Sequence, residues 1–259
     1  MTSEGAARLN LALATCLIAF GSTVTPLSAE EMPKDFVYLR DIDPSIQQDM
    51  RYAGPDNFTG KPVPGYDAAE CVLVRQAAEA LKAVQDDLKP QGLTLKVYDC
   101  YRPTEAVAAF VAWAKTPDDP HAKAVHYPSL NKTDLFPEYI ATRSGHSRGA
   151  TLDLTIAPAG APEKHPPGMS CTAPQQGTAP DGSLAMGTSF DCFDVKANTV
   201  TQGLTPEENE NRTRLLEAMS AHGFKNYAPE WWHYTFEPEP YAGTYFDFPI
   251  RPRADGGKG

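Results

Sequence analysis

Residues 144–153 read Ser144-Gly145-His146-Ser147-Arg148-Gly149-Ala150-Thr151-Leu152-Asp153 and run into an extended segment, Ala150 to Ile156. Gly145 and Gly149 make the backbone pliable just before that strand, so His146 can sit on a loop beside Asp153. Working back from this strand, Val74, Ala77, Ala78, Leu81, Val84 and Leu88 recur at helical spacing until Pro90 and Gly92 stop the pattern. Leu93 to Tyr101 then reads as a strand with Leu93, Leu95 and Val97 on one face. Pro103 opens a second helix through Ala106, Val107, Phe110, Val111 and Ala114. Working forward, Thr205, Pro206 and Glu208 carry the cap, first-turn proline and capping box of a third helix. Leu215, Leu216 and Met219 supply its buried face, and Gly223 ends it. Trp231 to Phe236 reads as another strand. Helices and strands mixed without strict alternation predict the α+β class, as one compact domain whose mixed or antiparallel sheet packs against helices.

The composition agrees with a globular protein of that size. The chain has 259 residues, 41% of them hydrophobic, which is too many for a disordered chain. With 23 Lys+Arg against 33 Asp+Glu its formal charge is −10, and no basic tract offsets it. That balance argues against a nucleic-acid partner or an anionic membrane surface. The 24 prolines predict long loops between short elements. Pro158 to Ser183, rich in Pro, Gly, Ala and Ser, reads as an insertion loop.

Residues 1–29 read as a secretory signal, leaving residues 30–259 as the working domain. Arg8 precedes an apolar run from Leu11 to Phe20, and the small residues around Ser28-Ala29 suit cleavage there. The run is shorter than the about 20 residues a spanning helix needs, so no stable membrane insertion is expected once it is removed. Periplasmic export is the favoured address. A lipoprotein signal at Cys16 is the lesser alternative, because Thr15 precedes it and the apolar run continues past it. Loss of Cys16 leaves Cys71, Cys100, Cys171 and Cys192. An even count in an exported chain points to disulfides, and Cys71–Cys100 with Cys171–Cys192 encloses one short local unit each. A four-cysteine zinc site would want C-x-x-C pairs, and none is present. Asn57, Asn131 and Asn211 match glycosylation sequons short enough to arise by chance.

Two of the six histidines stand in unusual company. His146 lies near Asp153, and His233 ends the run Glu230-Trp231-Trp232-His233. Two imidazoles and a carboxylate make a three-ligand zinc site with a fourth position free for water. A further carboxylate that is not a ligand is what a hydrolytic zinc enzyme needs to take the proton of that water. In a regular strand Glu230 and His233 would face opposite ways, so a turn or bulge is needed at its start. Each of these residues also has a plain structural reading: a hydrogen-bonded histidine, a strand-end carboxylate, two core tryptophans.

The arrangement Ser-x-His-x-x-Gly-x-x-x-Asp, followed far downstream by Glu-Trp-Trp-His-Tyr, resembles the VanX-type D-alanyl-D-alanine dipeptidases, within the zinc D-Ala-D-Ala peptidase family. Tyr52-Ala53, Asp56 to Pro62, Asp99-Cys100-Tyr101-Arg102-Pro103, Met186-Gly187, Phe190-Asp191 and Tyr245 to Pro249 extend the likeness in order, over roughly residues 36–251. The resemblance implies a sheet and helices around a zinc cleft. It places one Zn2+ on His146, Asp153 and His233, with Glu230 as the catalytic carboxylate that takes a proton from zinc-bound water. Arg102 falls at the position that stabilises the developing oxyanion, and a surface salt bridge to Asp99 is its plain alternative. Ser144 and Asp191 match positions near the free ammonium of a small D,D-dipeptide substrate, with Tyr52 helping to shape that pocket. A loop-stabilising role beside Cys192 is the plain alternative for Asp191.

Two further readings compete. Export suits a D,D-carboxypeptidase or peptidoglycan endopeptidase acting on longer wall peptides, and zinc folds also serve as non-catalytic binding modules. Glu230 and Arg102 weigh against the last, since binding alone needs neither. The loop from Pro158 to Ser183 is long for this family and stands between the ligand strand and Asp191, where it can either lid the pocket or open it.

Overall fold

The computed structural model describes Met1 and residues 31–161, 168–175 and 177–253. Residues 2–29 of the expected leader, and with them Cys16 and the boundary to residue 30, lie outside these. No helix among the described residues is long and apolar enough to cross a membrane.

The fold is α+β. Its elements in order are β1 (Phe36–Tyr38), α1 (Leu39–Ile42), β2 (Gln47–Gln48), β3 (Val72–Val74), α2 (Arg75–Leu88), β4 (Leu93–Asp99), α3 (Thr104–Ala114), α4 (Pro120–His126), β5 (Thr151–Pro158), α5 (Pro206–Ser220), β6 (Phe224–Asn226) and β7 (His233–Phe236). Five strands form the main sheet in the order β2-β4-β5-β7-β6, and β1 pairs with β3 in a small second sheet. Within the main sheet β2 runs parallel to β4 and the other neighbours are antiparallel, so the sheet is mixed.

The long helices follow the apolar spacing. α2 buries Ala77, Ala78, Leu81, Val84 and Leu88, and α5 buries Leu215 and Met219. The Thr205 hydroxyl accepts from the Glu208 N–H, and the Glu208 carboxylate accepts from the Thr205 N–H, closing the capping box. β4 differs from a one-sided strand, because all seven of its residues are buried. The loop after β5 covers its second face: Lys96 Nζ donates to the Asp181 carbonyl at 2.6 Å, and the Tyr98 hydroxyl to the Asp181 carboxylate at 2.5 Å. The loop's length therefore serves the sheet. The amides of Asn57 and Asn211 are likewise spent inside, on the carbonyls of Gly54 and Lys61 and of Ala185.

Both disulfides join the pairs the spacing suggests, Cys71–Cys100 and Cys171–Cys192. They close loops of 29 and 21 residues, each stabilising the chain by roughly 3–4 kcal/mol on the chain-entropy account. Cys71–Cys100 ties the segment entering β3 to the end of β4, directly ahead of Arg102.

Gly149 holds the turn into β5 against the small sheet. Its φ is +80°, its carbonyl accepts from Val74 N–H at 2.8 Å, and an added Cβ would lie 2.2 Å from the Phe36 ring. Gly149→Ala is therefore expected to destabilise the protein by about 2–4 kcal/mol in denaturant unfolding. Gly54→Ala, where nothing lies within 4 Å, should stay within about 0.5 kcal/mol of the parent.

Candidate metal centre and active site

The sheet register brings the candidate ligands together. Asp153 on β5 pairs with His233 on β7, and a bulge in β4 puts Asp99, not Tyr98, opposite Asp153. Cross-strand partners share a face, so Asp99, Asp153 and His233 form a row over three strands. His146 enters from the single 3₁₀ turn Gly145–Arg148, which the Ser144 hydroxyl caps by accepting from His146 N–H. His146 Nδ1–H donates to the Cys100 carbonyl at 2.7 Å, which leaves Nε2 with its lone pair toward the row.

β7 begins at His233, two residues later than the sequence pattern suggests. Glu230 lies in the preceding turn, its N–H donating to Tyr227 and its carbonyl accepting from His233 N–H at 3.3 Å. The turn removes the strand alternation, so Glu230 and His233 look into the same space, with Glu230 Oε2 3.5 Å from His233 Nδ1. Trp231 and Trp232 are core residues beside it, 2% and 1% exposed.

The donor atoms suit a metal ion. His146 Nε2, His233 Nδ1 and Asp153 Oδ1 stand 3.3, 3.4 and 3.0 Å apart. Tetrahedral ligands at about 2.0–2.1 Å from a zinc ion lie roughly 3.3–3.4 Å from one another, so the triangle has nearly the required edges. Asp153 Oδ1 is buried and accepts no well-directed hydrogen bond despite its two imidazole neighbours. Lone pairs converging in this way are stabilised by a cation.

Arg102 reaches the centre from the loop after β4. Its Nε donates to Asp99 at 2.9 Å, and its Nη2 lies 3.6 Å from Asp153. The pairing with Asp99 foreseen as a surface salt bridge is thus buried, and the same guanidinium lines the cavity. Burial alone would favour its neutral form, but Asp99 outweighs burial and holds Arg102 firmly charged. The guanidinium stacks over the rings of Tyr52 and Phe110 at 5.3 and 5.0 Å.

A cavity of about 270 Å³ has Tyr52, Arg102, Ser144, His146, Asp153, Asp191, Glu230 and His233 all in its wall. The Tyr52 hydroxyl donates to the Asp191 carboxylate, at 2.9 and 3.1 Å to its two oxygens. Ser144 Oγ lies 3.5 Å from Arg102 Nη1. Burial, with Asp153 nearby, pushes the Asp191 carboxyl up to about 8. Burial and the same neighbour raise Glu230 well above the usual carboxylate range. For Asp153 the two imidazoles outweigh burial and lower it, while burial lowers His233.

None of the described residues of the loop 158–183 lines this wall. Pro137 to Ala141 and Arg143 stand there instead. Asp99 went unassigned in the sequence except as an ion-pair partner. It takes hydrogen bonds from Arg102 and Tyr66 and lies 3.5 Å from His146 Nδ1. Its place in the Asp99-Cys100-Tyr101-Arg102-Pro103 run was the available signal.

A family model described as D-ala-D-ala dipeptidase, of peptidase family M15, matches residues 32–163 and 178–251. The chain belongs to the D-Ala-D-Ala dipeptidase family. Three relatives named D-alanyl-D-alanine dipeptidase support this membership. One from Streptomyces coelicolor is 39% identical over 221 residues, which is 85% of this chain and all of that relative. One from Enterococcus faecium is 36% identical over 83% of this chain and 98% of its own length. One from Enterococcus faecalis is 34% identical over 85% of this chain and all of its own length. The M15 family is metal-dependent, in keeping with the ligand triangle. The gap between the two matched segments falls inside the long loop, which is thus a departure from the family pattern.

The raised Asp191 has a consequence for stability. Its folded value of about 8 exceeds the unfolded value of about 4, so the folded protein holds a proton that the unfolded chain releases. The associated stability is present in acid and lost as pH rises from about 4 to 8. Asp191→Asn in metal-free protein should therefore melt higher than the parent by a margin that grows across this window. Each kcal/mol relieved corresponds to roughly 2–4 °C in a melting series against pH.

Proposed function

We propose that this chain is an exported zinc dipeptidase that hydrolyses D-Ala-D-Ala. The observation that carries the reading is the triangle of His146, Asp153 and His233 with a carboxylate outside the ligand set, Glu230, 3.5 Å from one corner. Zinc held by three protein ligands supplies a Lewis acid that acidifies water and polarises a carbonyl.

The chain's own residues do the rest. Glu230, buried and with its proton affinity raised, accepts the proton of the attacking water and delivers it to the amine that leaves as the C–N bond breaks. Arg102 stays charged and stabilises negative charge developing on the scissile carbonyl oxygen. Asp191, oriented by Tyr52, receives the substrate's ammonium, and Ser144 lines the same space. A carboxylate paired with an ammonium in an enclosed cavity is worth more than the same pair in water. Longer wall peptides lack a free ammonium at that point, which favours the dipeptide over the carboxypeptidase or endopeptidase reading. Residues 1–29 as a leader, and two disulfides that need an oxidising compartment, support a periplasmic address.

Glu230→Gln is expected to lower kcat by about 10²–10⁴-fold while keeping one zinc per chain, measured by steady-state kinetics and metal analysis. Chelation should abolish turnover and added zinc restore it. A Glu230→Gln enzyme working at the parent rate would sink the mechanism. Free D-Ala-D-Ala should exceed its N-acetyl form in kcat/KM by about 100-fold or more. Preference for the blocked substrate would favour the longer-peptide reading.

A further inference from the structure

Asp191 is the one non-glycine residue with positive φ among those described, at +55°. Such a backbone is unfavourable for an L-residue, and aspartate is among the side chains that tolerate it best. It persists only where the surroundings over-determine it. Here the surroundings come from a distant segment, the end of α4, which the site as described does not use.

His126, the last residue of α4, lies with Nδ1 3.3 Å from the Asp191 carbonyl. Its own carbonyl accepts from Phe193 N–H at 2.8 Å, and the Val125 carbonyl accepts from Cys171 N–H at 2.7 Å. Cys171 is bonded to Cys192, the residue after Asp191. The end of α4 therefore holds both arms of the disulfide and the carbonyl of Asp191 between them. On the other side of the same residue the carboxylate meets Tyr52. Burial takes His126 down to about 4, so near neutrality the ring has one N–H, and the Asp191 carbonyl calls it to Nδ1. His126 is absent from the cavity wall, whereas the Phe58 ring that it meets edge-on is part of it.

We propose that His126 and the Cys171–Cys192 bridge form a clip that holds Asp191 left-handed and so aims its carboxylate at the substrate's ammonium. This rests on the ammonium reading of Asp191 given above. Without the carbonyl tether the peptide at Asp191 is free to return toward ordinary φ, which turns the side chain away from Tyr52 and the cavity. His126 is then a positioning residue for substrate recognition. It touches no reacting atom, so its loss weakens binding and leaves the bond-breaking step intact. The described residues of the long loop line none of the cavity, and the loop reaches the site through this bridge.

The test compares His126→Ala, His126→Asn, Cys171→Ala/Cys192→Ala and Asp191→Asn in the zinc-loaded enzyme, on free and N-acetyl D-Ala-D-Ala. Binding of D-Ala-D-Ala to the same variants in a Glu230→Gln background, followed by calorimetry, gives a readout without turnover. His126→Ala should raise KM for the free dipeptide about 10-fold, with kcat within about 3-fold, and should narrow the gap between free and blocked substrate. An asparagine amide nitrogen comes close to the Nδ1 position, so His126→Asn should recover most of the loss. The cysteine pair variant should shift KM in the same direction. Combined with Asp191→Asn, His126→Ala should add nothing further, the signature of acting through that residue. If Asp191→Asn weakens binding but His126→Ala leaves KM and calorimetric affinity unchanged, the clip is wrong and the ammonium reading stands. A His126→Ala loss shared equally by kcat, by the blocked substrate and by melting temperature, without rescue by asparagine, also overturns it. If Asp191→Asn itself changes neither KM nor the free-to-blocked ratio, the ammonium reading falls first.

Discussion

Four carboxylates, those of Asp99, Asp153, Asp191 and Glu230, are buried around one space, and the rest of the architecture answers to that concentration of charge. Buried charges of one sign persist only where opposite charge, hydrogen bonds or protons offset them. The four are treated differently. Asp99 has the Arg102 guanidinium and the Tyr66 hydroxyl. Asp153 has two imidazoles and an oxygen left for a cation. Asp191 and Glu230 have less and are pushed toward their protonated forms. The two that the protein leaves short of positive charge are the two assigned to the substrate's ammonium and to proton transfer.

Such a site needs a stiff frame, because each offsetting group works only at contact distance. The frame is a mixed sheet closed over on both faces at β4, with α2 on one side and the loop that follows β5 on the other. The Cys71–Cys100 bridge fixes the approach to Arg102, and the Cys100 carbonyl fixes the tautomer of His146. The second bridge lies beside Asp191. Disulfide bonding and site geometry thus meet at the same cysteines.

Much of the fold was legible because its long elements carry local signals. α2, α3 and α5 follow apolar spacing, and α5 its capping box as well, signals that depend on residues three and four apart. β4 and β5 fall where their hydrophobic runs lie, but the burial of both faces of β4 was not readable. Its cover is Asp181, more than eighty residues away, in a segment whose composition says only that it is a loop. The short pieces β1, β2 and β6 have no pattern of their own and exist through their partners.

The sequence by itself determined which side chains can do the chemistry. His146, Asp153, Glu230, His233 and Arg102 stand in runs whose order and company mark them, and the cysteine spacing marks the pairs. Only the tertiary structure decided that they meet. The alternation of a strand sets Glu230 and His233 apart, and a turn ending at His233 brings them together. The register of β5 on β7 faces Asp153 with His233, and a one-residue bulge in β4 adds Asp99 to the row. Register and bulges come from the pairing of segments distant in the chain, and a shift of one residue would turn every one of these side chains to the opposite face.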